Sequence, residues 1–311
     1  MIMRIFPVAI SLLVISGCGL SNRMLNDPAS RNQLITAVRE QKELKIKYPE
    51  PVIFMSPEAI AVNPRGDLLI VDSGKDLVYA VGQDSVVNFQ FGGFGSGKGQ
   101  FNQPSGIALD KAGNIYITDR GNNRVQKFDN RGNYLLSFGE YGNGDGQFDQ
   151  PSGIAVDAFG YAYIADTGNN RIQRFDSQGG YIGQFGTFGW GDGFLNAPSG
   201  LAIGPDNTIY VNDAGNSRIQ RFNTGGSFVE TTGALEIAAG ISVDGAGFVY
   251  IIDVKGSKVG YFKRAGREPQ YLGGAYEIKA YRTSQLALDV VGKKIYLWDP
   301  GERKINILYS E

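Results

Sequence analysis

The sequence contains no histidine. That removes the side chain that most often serves as a metal ligand and as a general base near neutral pH. It has one cysteine, Cys18, which excludes an intrachain disulfide, a thiolate metal cluster and a haem-attachment pair. Charge of one sign is lacking too. Thirty basic and 31 acidic residues leave a net charge of −1, without the basic footprint of a nucleic-acid partner. The apolar run Ile5–Ile15 falls short of the roughly 20 residues that a membrane-spanning helix needs. Neither a cofactor nor a metal is expected from this inventory.

What the chain does have is glycine, 44 residues of it, and a repeated sentence. Residues 104–128 read PSGIALDKAGNIYITDRGNNRVQKF, residues 151–175 PSGIAVDAFGYAYIADTGNNRIQRF, and residues 198–222 PSGLAIGPDNTIYVNDAGNSRIQRF, each 47 residues after the last. Short β-type runs at such a period, separated by Gly- and Asn-rich turns, predict a radial array of four-stranded sheets. Three degenerate repeats begin at Ala59–Asn63, Gly240–Asp244 and Leu286–Asp289. The expected fold is therefore all-β: a six-bladed propeller over residues 44–311. The sixth repeat offers three strands, the last being Lys304–Tyr309. An N-terminal strand, placed at Leu44–Pro49, is expected to complete that last blade and cover its open edge.

The first 17 residues read as an export signal, with Arg4 ahead of the apolar run. Ser16-Gly17-Cys18 resembles a bacterial lipobox. The resemblance implies a lipoprotein with diacylglycerol (palmitate-type acylation) on Cys18; Gly19 after the cysteine implies sorting to the outer membrane. Residues 18–43 are expected to form a tether carrying a short helix. Asp27-Pro28 suits its start, and Leu34, Ile35 and Val38 give its apolar stripe.

The strands GNNRVQKF, GNNRIQRF and GNSRIQRF, with the P-S-G-[IL]-A openings, resemble NHL repeats. The resemblance implies a propeller serving as an interaction platform. Some such proteins bind RNA, and a few relatives in shape are lyases that rely on histidine, for which no position here can stand in.

Repeats provide an internal control: a feature in every blade holds the fold, and one confined to some blades can serve function. The aspartate ending each second strand recurs six times, as Asp72, Asp119, Asp166, Asp213, Asp253 and Asp299. It is expected to accept turn amides, and Arg124, Arg171 and Arg218, five residues on, to pair with it or with the aspartate of the next blade. The links between blades, Gly92–Gln103, Gly139–Gln150 and Gly186–Ala197, are long and glycine-rich. Strand alternation puts them on the same face as the turns between second and third strands. They carry Phe94, Tyr141, Phe188 and Trp190, candidates for stacking on a ligand or partner, or else for plugging the groove between adjacent blades. Phe101, Phe148 and Leu195 suit the role of plugs between blades. Lys127, Arg174 and Arg221 share one position on third strands and could form a basic stripe toward an anionic surface, or a merely solvated one. Asp145, Asp149 and Asp192 lack the dense spacing of a calcium loop, and the glycines at 92–97 precede no helix that could cradle a phosphate.

The expectation from sequence is thus a lipid-anchored envelope propeller, not an enzyme. It would meet an envelope protein or extracellular ligand through its glycine-rich face, and no nucleic acid. The alternative is an envelope hydrolase or lyase working on sugar or peptide with carboxylates alone.

Overall fold

The computed structural model describes residues 38–46, 52–234, 238–253, 258–262, 270–271, 286–289, 294–299 and 303–310. The export segment, Cys18, Asp27-Pro28, Leu34 and Ile35 lie outside the described residues, as do Lys47–Pro49. No described helix is long and apolar enough to cross a membrane.

Six antiparallel four-stranded sheets make up the structure among the described residues. Blade 1 runs Pro57–Val62, Leu68–Asp72, Leu77–Val81 and Val87–Gly92, from the innermost strand outward. Blade 2 is Pro104–Leu109, Ile115–Asp119, Arg124–Phe128 and Tyr134–Phe138; blade 3 is Pro151–Val156, Ala162–Asp166, Arg171–Phe175 and Tyr181–Phe185. Blade 4 is Pro198–Ile203, Ile209–Asp213, Arg218–Phe222 and Phe228–Ala234; blade 5 is Ala238–Val243, Val249–Asp253, Lys258–Phe262 and Gln270–Tyr271. The innermost strands touch in cyclic order, the sixth meeting the first, so the ring is closed.

Blade 6 combines Leu286–Asp289, Lys294–Asp299 and Lys304–Ser310 with a strand from the other end of the described chain. That outer strand is Val38–Glu43, paired Glu40 with Tyr309, Gln41 with Leu308, Lys42 with Ile307 and Glu43 with Asn306. Closure by an N-terminal strand is therefore present, six residues earlier than its expected position. The short helix expected through residue 43 is corrected over 38–43, which is strand. The physical reason is exposure. An outermost strand meets water, so the polar VREQKE suits it, with Lys42 and Glu43 exposed. The more apolar stretch that follows turns inward instead. Leu44 still donates its amide to the Ile305 carbonyl at 2.8 Å, and Ile46 is buried beside Phe54, Trp298 and Ile305 between blades 6 and 1.

The core consists of slabs between successive blades. Second strands, LLIVD, IYITD, AYIAD and IYVND, are buried along their whole length because both sheet faces meet a neighbour. Outer strands such as Tyr134–Phe138 alternate between half-buried and exposed. Phe101 and Phe128 close the slab between blades 1 and 2. Phe148 with Phe175, and Leu195 with Phe222, repeat the arrangement in the next two. Near the axis, blades 2 to 4 approach so closely that the P-S-G glycines of blades 2 and 3 leave no room for a side chain. A Cβ on Gly153 would lie 2.9 Å from the Gly200 Cα of the next blade.

Candidate functional site

The glycine-rich links are bound into fixed shapes. In the first, Phe101 N donates to Gly93 O at 2.8 Å and Gly95 N to Phe101 O at 2.9 Å. Gly93 and Gly95 have φ of +120° and +149°, which a side chain would strain. The same bonding recurs around Phe148 and Leu195.

Beneath each link lies a buried polar knot. Asp119 is fully buried and accepts from Asn102 N (2.8 Å), Arg124 Nε (2.8 Å) and Gln126 Nε2 (3.0 Å), as well as from the Asn122 side chain. Arg124 then reaches the link, donating from Nη2 to Gly97 O and Gln100 O at 2.8 and 2.9 Å. Asp166 with Arg171 and Gln173, and Asp213 with Arg218 and Gln220, repeat this set. Each arginine pairs with the aspartate of its own blade. Among the described residues, Asp72 instead accepts from amides, those of Met55 (2.9 Å), Ser56 (2.8 Å) and Gly74 (3.2 Å). Asp299 is also buried, and Asp253 ends its strand in blade 5.

On this rigid base the link aromatics stand in water. Phe94 is 74% exposed, Tyr141 72%, Phe188 53% and Trp190 72%. Phe188 and Trp190 touch edge to face, with ring centroids 5.2 Å apart. The others stand singly, one per link. Phe101, Phe148 and Leu195 are wholly buried, so the plugging of the slabs falls to them.

The basic stripe requires correction. Lys127 and Arg221 are buried, Arg174 half-buried. Lys127 Nζ donates to Ser177 O of blade 3 at 3.0 Å and sits 4.8 Å above the Tyr116 ring. Arg174 donates to Thr224 O of blade 4 at 2.7 Å and covers Tyr161, and Arg221 pairs with Glu230. Lys127 and Arg174 thus brace one blade to the next at the turns between third and fourth strands, on the face opposite the links, whereas Arg221 pairs across strands within its own blade. Among the loop acids, Asp192 accepts from the Thr231 hydroxyl at 3.0 Å. The described residues gather no group of three or more acidic side chains suited to a metal.

A cavity of about 250 Å³ opens at the axis, on the same face as the links. The first residues of the innermost strands of blades 1 to 5 line it, with Glu58, Arg120, Ser105, Ser152, Ser199 and Asn212 as its polar groups. Arg120 enters from the short turn Arg120–Asn122. Glu58 accepts a bond from the Ser56 hydroxyl at 3.3 Å. Burial pushes its carboxyl above the ordinary glutamate range, against the opposing pull of that hydroxyl and of the Arg120 charge. The sequence reading missed both Glu58 and Arg120, although the repeat carries a signal for them. Where blades 2 to 4 have Pro-Ser-Gly, blade 1 has Pro57-Glu58-Ala59. Where blade 2 has Arg120, the equivalent residues are Ser73, Thr167 and Ala214.

Residues 101–128, 148–175 and 195–222 match the NHL repeat family. With the ring of six sheets, they define the chain as an NHL-repeat β-propeller. No curated protein matches it in sequence. Solved structures share the fold. A gluconolactonase from Xanthomonas campestris has a TM-score of 0.68 at 18% identity, covering 89% of this chain and 92% of its own. Virginiamycin B lyase from Staphylococcus aureus, solved with quinupristin, has a TM-score of 0.60 at 16% identity, covering 87% and 88%. Hydrazine synthase of Kuenenia stuttgartiensis has 0.58 at 14%, covering 83% and 96%.

These similarities correct the expectation that the chain is not an enzyme. Propellers of this shape are named as a lyase and a gluconolactonase. The lack of histidine does not close the route either, since a carboxyl with a raised pKa faces the axial cavity.

Proposed function

We propose that this chain is a lipid-anchored propeller of the bacterial cell envelope, held to the outer membrane through Cys18, whose glycine-rich face captures an envelope partner or extracellular ligand. The observation that carries the reading is the set of four exposed aromatics, Phe94, Tyr141, Phe188 and Trp190, on the bonded links of one face. Exposed apolar surface costs about 25 cal/mol per Å² relative to burial, and these rings are not needed as plugs. Rings of this kind on a rigid scaffold favour docking. The axial cavity opens on the same face of the ring, and turnover there is compatible with this reading.

Replacing the four rings together with alanine tests it. Capture from envelope extracts, read by mass spectrometry, is expected to lose its specific species while thermal unfolding stays unchanged. Phe159→Ala is the control, since that ring is 74% exposed elsewhere, in the turn after the first strand of blade 3. Retention of the species by the fourfold variant would sink the reading. Anchoring is tested separately: Cys18→Ser is expected to shift the protein from membrane to soluble fraction and to abolish palmitate labelling.

A further inference from the structure

The axial cavity differs from the rest of the ring in its hydrogen-bonding character. Ser105 places its hydroxyl 3.0 Å from the Thr118 hydroxyl and 3.1 Å from Pro151 O of the next blade. Thr118 spends its own proton on Ser152 O at 2.6 Å. Ser152 lies 2.6 Å from the Thr167 hydroxyl and 3.1 Å from Ser199 O, and Thr167 donates to Pro198 O at 2.8 Å. A hydroxyl has one proton and two lone pairs. The protons of Ser105 and Ser152 are therefore committed to stitching the blades, and lone pairs are what they present to the cavity. Glu58 adds two carboxylate oxygens, with Ser56 as its hydrogen-bond donor. Among the described residues the recess is rich in acceptors and has one cationic group, Arg120, whose Nη2 donates to Gln150 at 3.0 Å. Its remaining N–H groups are available to an anion.

The repeat makes these two charges conspicuous. Blades 2 to 4 have serine at the Glu58 position, and blades 1, 3 and 4 have serine, threonine and alanine at the Arg120 position. The ring closes without them, so the fold does not require either. At about 250 Å³ the recess lies just below the usual range of small-molecule sites, roughly 300–1,000 Å³.

We propose that the axial cavity binds a small zwitterion of the amino-acid or dipeptide class, its ammonium group against Glu58 and the serine lone pairs, its carboxylate on Arg120. The proposal rests on the loop face being the working face only in that the cavity opens there.

The test uses the mature protein and dialanine, with N-acetyl-dialanine, dialanine amide and glucose as comparators, by titration calorimetry. Dialanine is expected to bind one to one, at least tenfold more tightly than the N-acetyl form, and glucose not at all. Glu58→Ser restores the sibling residue and so leaves the fold intact; it is expected to weaken dialanine at least tenfold and to erase the penalty of acetylation. Arg120→Ala, matching Ala214, is expected to erase the difference between dialanine and its amide. Absence of dialanine binding, equal binding of all three forms, or variants that bind like wild type would each overturn the proposal. The fourfold aromatic variant separates the two readings. Loss of the captured partner with dialanine binding kept means that rim and recess act independently. Loss of dialanine binding in a folded fourfold variant would overturn the assignment of recognition to the axial charges.

Discussion

Blade 3 and blade 1 are built on one plan and held by different means. In blade 3, Asp166 gathers an arginine, a glutamine, an asparagine and an amide, and Arg171 carries the network on to the overlying link. In blade 1, Asp72 holds amides, because Leu77 and Tyr79 stand where the arginine and glutamine would be. The regular blade invests its polar groups in the knot. The irregular one leaves its knot plain and places a carboxylate, Glu58, at the axis. Sameness across the ring marks what the fold needs, and singularity marks where a ligand could be read.

The comparison can be broken most severely at the seam. Deleting Val38–Glu43 strips the edge of Lys304–Ser310 and is expected to abolish cooperative thermal unfolding and promote self-association, seen by scanning calorimetry and light scattering. Next comes the knot. Asp166→Ala leaves the buried Arg171 uncompensated and is expected to cost about 3–5 kcal/mol; Asp72→Ala strands amides, at about 1–3 kcal/mol. Urea unfolding that gave the two equal cost would erase the distinction between the blades. Phe148→Ala should cost about 3–5 kcal/mol by opening a cavity in the slab between blades 2 and 3, whereas Tyr141→Ala, seven residues away, should stay within about 0.5 kcal/mol.

The smallest effect concerns pH. Burial holds the Glu58 carboxyl above its unfolded value, so the folded state keeps that proton longer. Stability from this group is full below the ordinary glutamate range and falls as pH rises through the raised folded value. Wild type should therefore lose melting temperature relative to Glu58→Ser over that rise. A difference of the opposite sign would mean that Arg120 outweighs burial at the axis.

Much of this was legible in the sequence. The 47-residue period, the terminal aspartates and the plugs Phe101, Phe148 and Leu195 follow from repetition, and repetition reports packing. Three readings failed for physical reasons. The closing strand is expected at Leu44–Pro49, directly ahead of blade 1, but an outer strand faces water, so the polar Val38–Glu43 takes that place and the apolar segment serves as filling. Lys127, Arg174 and Arg221 alternate as a solvated face would, yet a propeller blade is covered on both faces, so alternation does not locate solvent. Glu58 and Arg120 escaped notice because each occurs once, and their meeting at the axis requires the ring to be assembled.

The latch strand has a mechanical consequence. The bonds of Val38–Glu43 to Lys304–Ser310 are also bonds that close the circle. Traction on the leading end is thus carried in series by the ring's own clasp. A pull on Val38 strong enough to free this strand would unfasten blade 6 first.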